Sequence, residues 1–295
     1  MKLKIGVDVG GTFTDFLVTR PDGEPMIFKV LSTPADPSEG LIHGLAAIAD
    51  SMGITLTELT GVIETIVHGT TVTTNAVLTG NGAKTGLLTT EGVRDALEMR
   101  RGIREEQYNN RYTNVPPLVP RFLRQPIRGR LNYRGDPLTP LSTDDVDRAI
   151  QLFRGERIEA VAICFMNSFA NAEQEQRAAE LVRSALPDVY LTVSSDFLPS
   201  IRFYDRVSST VLNAYVGPKL GSYLDGLRVR LKEIGFAGTL LIMQSNGGVM
   251  SPATARQHPA RTLLSGPAAG PGAGLRYVRD YEREQCITVD MGGTS

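Results

Sequence analysis

Cysteine is scarce in this sequence: there are two, Cys164 and Cys286, far apart in the chain. That excludes a disulfide framework and the paired spacing of a zinc site, and both read as small buried residues of a reducing compartment. Neither sign of charge is in excess, the formal net charge being −1, so nothing in the composition draws nucleic acid or an anionic membrane, and neither is expected as a partner. Long apolar runs are missing too, none approaching the roughly 20 residues of a membrane helix. Met1-Lys2-Leu3-Lys4 leads straight into a short strand, without the apolar core and cleavage site of a secretory signal. A cytoplasmic location is expected. What is present is the balance of a soluble globular protein, 41% hydrophobic and 21% charged over 295 residues, enough for one large domain or two ordinary ones.

The pattern opens with strands at residues 3–9, 13–19 and 26–31, the last two joined at Pro21-Asp22-Gly23, which reads as an antiparallel meander. Leu41, Leu45 and Ile48 then fall at helical spacing over 37–50 behind a capping Asp36, and 62–67 is a β-branched strand. Residues 71–78 suit a helix, 84–89 a strand, and 90–99 a helix entered through Thr90. From about 100 to 140 the composition turns to Arg, Asn, Tyr and Pro and periodicity fades, which marks an inserted subdomain. Beyond it come a helix at 143–153, a strand at 160–165, a helix at 172–186 and a strand at 190–193. Then follow one or two helices over 204–233 broken near Gly217-Pro218, a strand at 239–243, a small-residue helix at 266–281 and a closing strand at 286–290. Alternation of this kind predicts an α/β fold with much of its sheet buried.

Two segments carry phosphate chemistry. In Asp8-Val9-Gly10-Gly11-Thr12-Phe13-Thr14-Asp15 an aspartate ends a strand and two glycines and a threonine turn into the next. Backbone N–H groups in such a turn converge on an anion, glycine lets a phosphate approach, and threonine hydroxyls add donors. The aspartate would orient Mg²⁺ through water, because that ion keeps several waters and takes few carboxylates. An ordinary hairpin turn with a capping aspartate is the alternative. Val289-Asp290-Met291-Gly292-Gly293-Thr294-Ser295 repeats Val7 to Phe13 with changes only at its third and seventh positions. Two such turns imply two lobes.

This arrangement resembles the actin, sugar-kinase and chaperone ATPase superfamily, whose lobes each offer one phosphate hairpin to a nucleotide. Within it, four motifs in order resemble the hydantoinase A/oxoprolinase family: Asp8 to Asp15, His68-Gly69-Thr70-Thr71-Val72-Thr73-Thr74-Asn75, Met243-Gln244-Ser245-Asn246-Gly247-Gly248, and Leu264-Ser265-Gly266-Pro267-Ala268-Ala269-Gly270. They span nearly the whole chain, which resembles the N-terminal portion of longer family members.

The resemblance implies an actin-like (ribonuclease H-like) ATPase lobe with a mixed sheet and an inserted α/β subdomain. The expected division is 1–99 for the first part of the lobe, 100–200 for the insertion, 201–284 for the return and 285–295 for the start of a second lobe. It implies ATP and Mg²⁺ as cofactors and phosphorylation of the amide oxygen of a hydantoin or oxoproline, which activates the ring toward water. A hydantoinase B-like second subunit or domain is the implied partner. Asp8 and Asp290 are the expected metal-orienting carboxylates. Gly10, Gly11, Thr12 and Thr14, with Gly292, Gly293 and Thr294, are the phosphate loops, and Gly266 starts a helix that connects the lobes.

Thr70, Thr71 and Asn75, where a strand meets a helix, and Asn246 and Gly247, in a strand-to-helix turn, are the substrate-contact candidates. His68 reads either as an acid or base or, with the threonines, as a cap of the helix that follows. Residues 99–112 are basic, aromatic and amide-rich, and more nearly resemble the ketone-carboxylase branch of the family. Their arginines suit a substrate carboxylate, but a solvated face paired by Glu98, Glu105 and Glu106 is the favoured reading. Two alternatives stay beside the cyclic-amide reading: an acetone- or acetophenone-type carboxylase subunit, and a non-catalytic ATP-binding module.

Overall fold

Strict alternation of apolar side chains builds the first sheet. The structure is a computed structural model that describes residues 2–21, 23–33, 36–103, 105–281 and 283–289. In β1 (Leu3–Val9) the side chains of Leu3, Ile5, Val7 and Val9 are buried while Lys4 and Asp8 are exposed. β2 (Phe13–Arg20) and β3 (Gly23–Leu31) continue the antiparallel meander. α1 (Pro37–Met52) starts at Asp36, whose carboxylate accepts from the Ser38 amide at 3.0 Å, and stops at Gly53, whose φ of 67° suits glycine. α2 (Leu56–Val62) carries a capping box between Thr55 and Glu58. β4 (Ile63–Thr70) then pairs parallel to β1, and α3 (Val72–Leu78) follows.

Residues Gly80–Pro218 form a compact unit of their own. It begins with β5 (Thr85–Thr90) and the short α4 (Ala96–Met99). Thr90 was expected to cap a helix over 90–99, but it ends the strand and its hydroxyl accepts from the Met166 amide at 2.9 Å. The Pro-rich stretch holds β6 (Arg124–Ile127), β7 (Arg130–Leu131) and β8 (Pro137–Thr139). α5 (Thr143–Gly155), β9 (Ala160–Cys164), α6 (Glu173–Ala185), β10 (Tyr190–Val193), α7 (Ser194–Phe197) and α8 (Phe203–Glu233) complete it, α8 passing its second half to the other unit. The sheet order is β10-β9-β5-β6, all parallel, and β5 and β9 are buried at every residue as parallel strands require.

The division falls at Gly80 and Pro218 instead of near 100 and 200, because β5, read as part of the first lobe, pairs with β6 and β9. Within this unit Glu175 and Arg206, both fully buried, lie 3.6 Å apart. Glu175 accepts from Ser168 Oγ, Ser194 Oγ and the amides of Phe165 and Ser195, all within 2.8 Å, tying the ends of β9 and β10 together.

α8 runs through Pro218 without the expected break. Proline there removes one intrahelical bond and crowds the carbonyl of Ala214, a local cost that packing must offset. The neighbouring Gly217 lies against the Tyr190 ring so closely that a β-carbon would come within 2.3 Å of it, so the packing of the ring holds the backbone in place. Residues Met1–Thr79 and Lys219–Ser295 make the other unit. Here β11 (Thr239–Met243) pairs parallel to β4, and β12 (Val249–Met250) turns back antiparallel, giving the mixed order β12-β11-β4-β1-β2-β3. α9 (Pro252–Gln257) and α10 (Ser265–Asp280) follow. One sheet face packs on α1 and α8 through Leu41, Leu45, Ile48, Leu220, Leu224 and Leu227. The closing strand expected at 286–290 is not formed over the described residues 286–289, and Cys286, expected to be buried, is exposed.

Candidate functional site

The β1–β2 turn is built from its glycines. The amide of Gly10 donates to the Phe13 carbonyl at 3.0 Å, and a β-carbon at Gly10 would sit 3.0 Å from that same oxygen. Gly10 is therefore required by the turn itself, and its amide is occupied instead of facing a phosphate. Ser32, just after β3, braces the loop: its hydroxyl donates to the Gly10 carbonyl at 2.8 Å and its amide to the Thr12 carbonyl at 2.9 Å. Thr14 shares a 3.0 Å hydrogen bond with the Ser32 hydroxyl and is fully buried. Expected as a phosphate donor, its side chain points into the core beside Phe16 and Val18, because strand alternation puts 14, 16 and 18 on one face. Gly11 and Thr12 are exposed.

Asp8 lies on the opposite face of the sheet. Its parallel partner in β4 is Gly69 and its antiparallel partner in β2 is Asp15, which is ion-paired with Lys29. A β-carbon at Gly69 would meet Asp8 Oδ1 at 3.0 Å, and one at Gly266 in α10 would meet both carboxylate oxygens at 3.5 Å. The carboxylate thus rests between two glycines from different elements. It borders a cleft of about 330 Å³, whose other walls include Leu17, Ile27, Val67 and Met243 on the sheet and Ser265 and Ala269 on α10. A carboxylate exposed on a cleft, approached by two residues that carry no side chain, suits a hydrated divalent cation.

His68 is drawn to the other face. It is fully buried, and its Nε2 shares a 2.7 Å hydrogen bond with the Tyr223 hydroxyl in α8. Burial pushes its pKa down from 6.5 to about 4, so the ring is neutral near pH 7. It does not reach the cleft as an acid or base, nor does it cap α3. The Thr70 hydroxyl takes that part, accepting from the Val72 amide at 3.3 Å. Burial also raises the pKa of the Tyr223 hydroxyl, which is hydrogen-bonded to Thr70 as well.

The threonines tie several elements to β4. Thr71 Oγ1 donates to the Val9 carbonyl at 3.2 Å and accepts from Asn75 Nδ2 at 3.3 Å. Thr73 and Thr262 share a 2.9 Å bond, Thr74 Oγ1 accepts from the Leu264 amide at 3.0 Å, and Ser265 Oγ donates to the Thr70 carbonyl at 3.2 Å. Thr70, Thr73 and Thr74 are buried, so this segment locks the start of α10 to β4. Leu264 accepts a left-handed φ of 54° at that junction.

Asn246 and Gly247 lie in a β11–β12 hairpin turn, a correction to the strand-to-helix turn expected. Asn246 Oδ1 accepts from the Gly248 amide at 2.9 Å, and Gly247 has a φ of 80°. A β-carbon on Gly247 would lie 3.3 Å from the Ala268 carbonyl, which places this turn beside α10. Asp290, Gly292, Gly293 and Thr294 lie outside the described residues. In the Gly80–Pro218 unit, Arg100 pairs with Glu105 at 2.6 Å and Arg101 with Asp205 at 2.5 Å, while Glu98 pairs with Arg124 at 3.0 Å. That favours the solvated-face reading of residues 99–112.

Sequence reasoning passed over Ser32, Tyr223 and Thr262, whose partners lie 18 to 189 residues away. Asp15 closes the first motif, and the tight hairpin turn at Gly10 to Thr12 places it opposite Asp8.

Known proteins share this arrangement. The family described as hydantoinase/oxoprolinase N-terminal region matches residues 4–186, and the hydantoinase/oxoprolinase family matches 206–295. Caprolactamase subunit alpha of Pseudomonas jessenii is 41% identical over 294 residues, covering 99% of this chain and 42% of the relative. The crystal structure of the ATP-dependent caprolactamase from that organism superposes with a TM-score of 0.90 at 40% identity, over 98% of this chain and 42% of the other. The acetophenone carboxylase gamma subunit of Aromatoleum aromaticum is 31% identical over 99% of this chain and 41% of its own length. A nucleotide-free acetone carboxylase structure matches with a TM-score of 0.84 at 28% identity, covering 95% and 41% of the two chains. The chain thus spans about two-fifths of these relatives, and the actin-like mixed α/β fold stands.

Proposed function

Because the chain belongs to the hydantoinase/oxoprolinase family, we propose that it is the part of an ATP-dependent enzyme that binds Mg²⁺ and the nucleotide phosphates, and that the whole enzyme opens cyclic amides. The observation that carries this reading is the Asp8 carboxylate, held between Gly69 and Gly266 at the edge of a cleft and one residue from the glycine turn. ATP would supply the phosphoryl group that, on the amide oxygen, activates the ring carbon toward water, and phosphate is released once the ring C–N bond has broken.

The work of this chain is placement. Asp8 would hold Mg²⁺, and Gly11 and Thr12 would offer the turn to phosphate oxygens. Gly10, Ser32 and Thr14 keep that turn in shape. The likeness to caprolactamase supports a lactam as the ring, beside the hydantoins and oxoproline that the family name suggests. Relatives named as alpha and gamma subunits support a partner subunit, which we take to be of hydantoinase B type.

A ketone carboxylase is the second reading, favoured by the acetophenone and acetone carboxylase likenesses. ADP release measured with caprolactam, hydantoins, oxoproline, or a ketone plus bicarbonate separates the two. Stimulation by a cyclic amide is expected, stimulation by ketone alone would sink the first reading, and nucleotide binding without any stimulated turnover would leave a non-catalytic module.

A further inference from the structure

The hydroxyl of Tyr223 is bonded to both residues that flank Gly69. One bond, 2.7 Å long, goes to the buried ring of His68, and the other to the side chain of Thr70. Gly69 sits between them in β4, directly beside Asp8. The same Thr70 offers its carbonyl to Ser265 Oγ at 3.2 Å, and Ser265 precedes Gly266, the second glycine against the Asp8 carboxylate. One hydroxyl on α8 therefore fixes the backbone on both sides of the first glycine and, through Thr70, the approach of the second. The clearance at Gly69 is small, since a β-carbon there would already be 3.0 Å from Oδ1, so a shift of a few tenths of an ångström in β4 reaches the carboxylate.

Resting on the reading of Asp8 as the Mg²⁺-orienting group, we propose that Tyr223 is a positioning residue for the Asp8 carboxylate, acting through His68 and Thr70 to set the geometry of the metal-nucleotide site. It touches neither the cleft nor any reacting atom. Its hydroxyl is 155 residues from His68 in sequence and belongs to a helix that packs on this sheet through hydrocarbon such as Leu220, Leu224 and Leu227. Packing alone would be served by phenylalanine, whereas a hydroxyl buried at this depth is costly unless hydrogen-bonded, and the partner it finds is His68, the neighbour of Gly69.

The test is Mn²⁺ binding in the presence of ADP, followed by the loss of the free-ion electron paramagnetic resonance signal, in the assembled enzyme. Tyr223→Phe should weaken ADP-dependent Mn²⁺ binding roughly tenfold or more, as loss of a ligand-orienting partner does. Thr60→Val is the control for losing a buried hydroxyl in the same core, since Thr60 donates to the Ile234 carbonyl at 2.8 Å and no contact ties it to Asp8. It should keep wild-type binding. If Tyr223→Phe does not fold, Thr70→Val removes the same tie from its other end and should show the same loss.

Wild-type affinity in a folded Tyr223→Phe, or equal weakening in Thr60→Val, overturns the inference and leaves the ATP reading standing. Absence of ADP-dependent Mn²⁺ binding in the wild type overturns that reading and this inference with it.

Discussion

Gly69 approaches Asp8 so closely that a β-carbon on it would stand 3.0 Å from Oδ1, whereas one on Gly266 would stand at an ordinary 3.5 Å. The two glycines should therefore respond differently to alanine. Gly69→Ala is expected to displace the carboxylate and lower kcat by roughly tenfold or more, since small misplacements of a catalytic group are costly. Gly266→Ala should cost much less. Steady-state kinetics of the two variants, with melting temperatures to confirm the fold, checks the order.

Removing the carboxylate itself is the stronger test. Asp8 is exposed at the end of β1, outside the buried row formed by Leu3, Ile5, Val7 and Val9. Asp8→Ala should abolish substrate-stimulated ADP release with little change in melting temperature. Near-normal turnover in that variant would refute the assignment.

The pH dependence of stability should report His68. Its pKa in the folded protein, about 4, lies below the ordinary 6.5. Between those values the unfolded chain binds the proton and the folded one does not, so stability falls as pH drops from 6.5 toward 4. For a fully buried ring this is worth up to about 3 kcal/mol. Denaturant midpoints of the wild type and His68→Gln, compared across that window, should differ in slope. Parallel curves would mean that the ring titrates normally.

Gly44 in α1 lies under Phe16 so closely that a β-carbon would fall 2.0 Å from the ring. Alanine would gain about 1 kcal/mol in helix propensity, but overpacking a core costs about 1–3 kcal/mol, and the ring or the helix must move to admit it. Gly44→Ala should be destabilised overall. Gly61→Ala in α2, with nothing within 4 Å, should be neutral or stabilised. Chemical denaturation of the pair reads the difference.

In the Gly80–Pro218 unit the fully buried Glu175 answers to Arg206 and to four further donors. Arg206→Met leaves that carboxylate uncompensated and should destabilise by about 3–5 kcal/mol. Recovery of much of that loss in Arg206→Met/Glu175→Gln, seen in unfolding curves, would identify the stranded charge as the cause.

Local order was written in the sequence, because local interactions set it. The alternation in β1 and β2, the Asp36 cap of α1 and the glycine turn after Asp8 depend on residues a few positions apart, and each lies where its pattern put it. The inward aim of Thr14 was also available, since it shares a period of two with Phe16 and Val18. Its reading as a phosphate donor followed from residue type alone.

Other features depended on neighbours far away in the chain. Thr90 left its expected cap because Met166 needed its hydroxyl, α8 stayed whole at Pro218, and β5 joined the inserted sheet because β6 and β9 flank it. His68 shows the difference most plainly. Its sequence placed a titratable ring beside candidate substrate contacts, and only the arrival of Tyr223 from α8 decided that the ring is buried, neutral and turned away from Asp8. The sequence by itself determined which residues could form strands, helices and a phosphate turn, since those choices are made within a few bonds. The tertiary structure alone decided which side chains face the cleft and which hold it in place, because that depends on contacts between elements brought together only by folding.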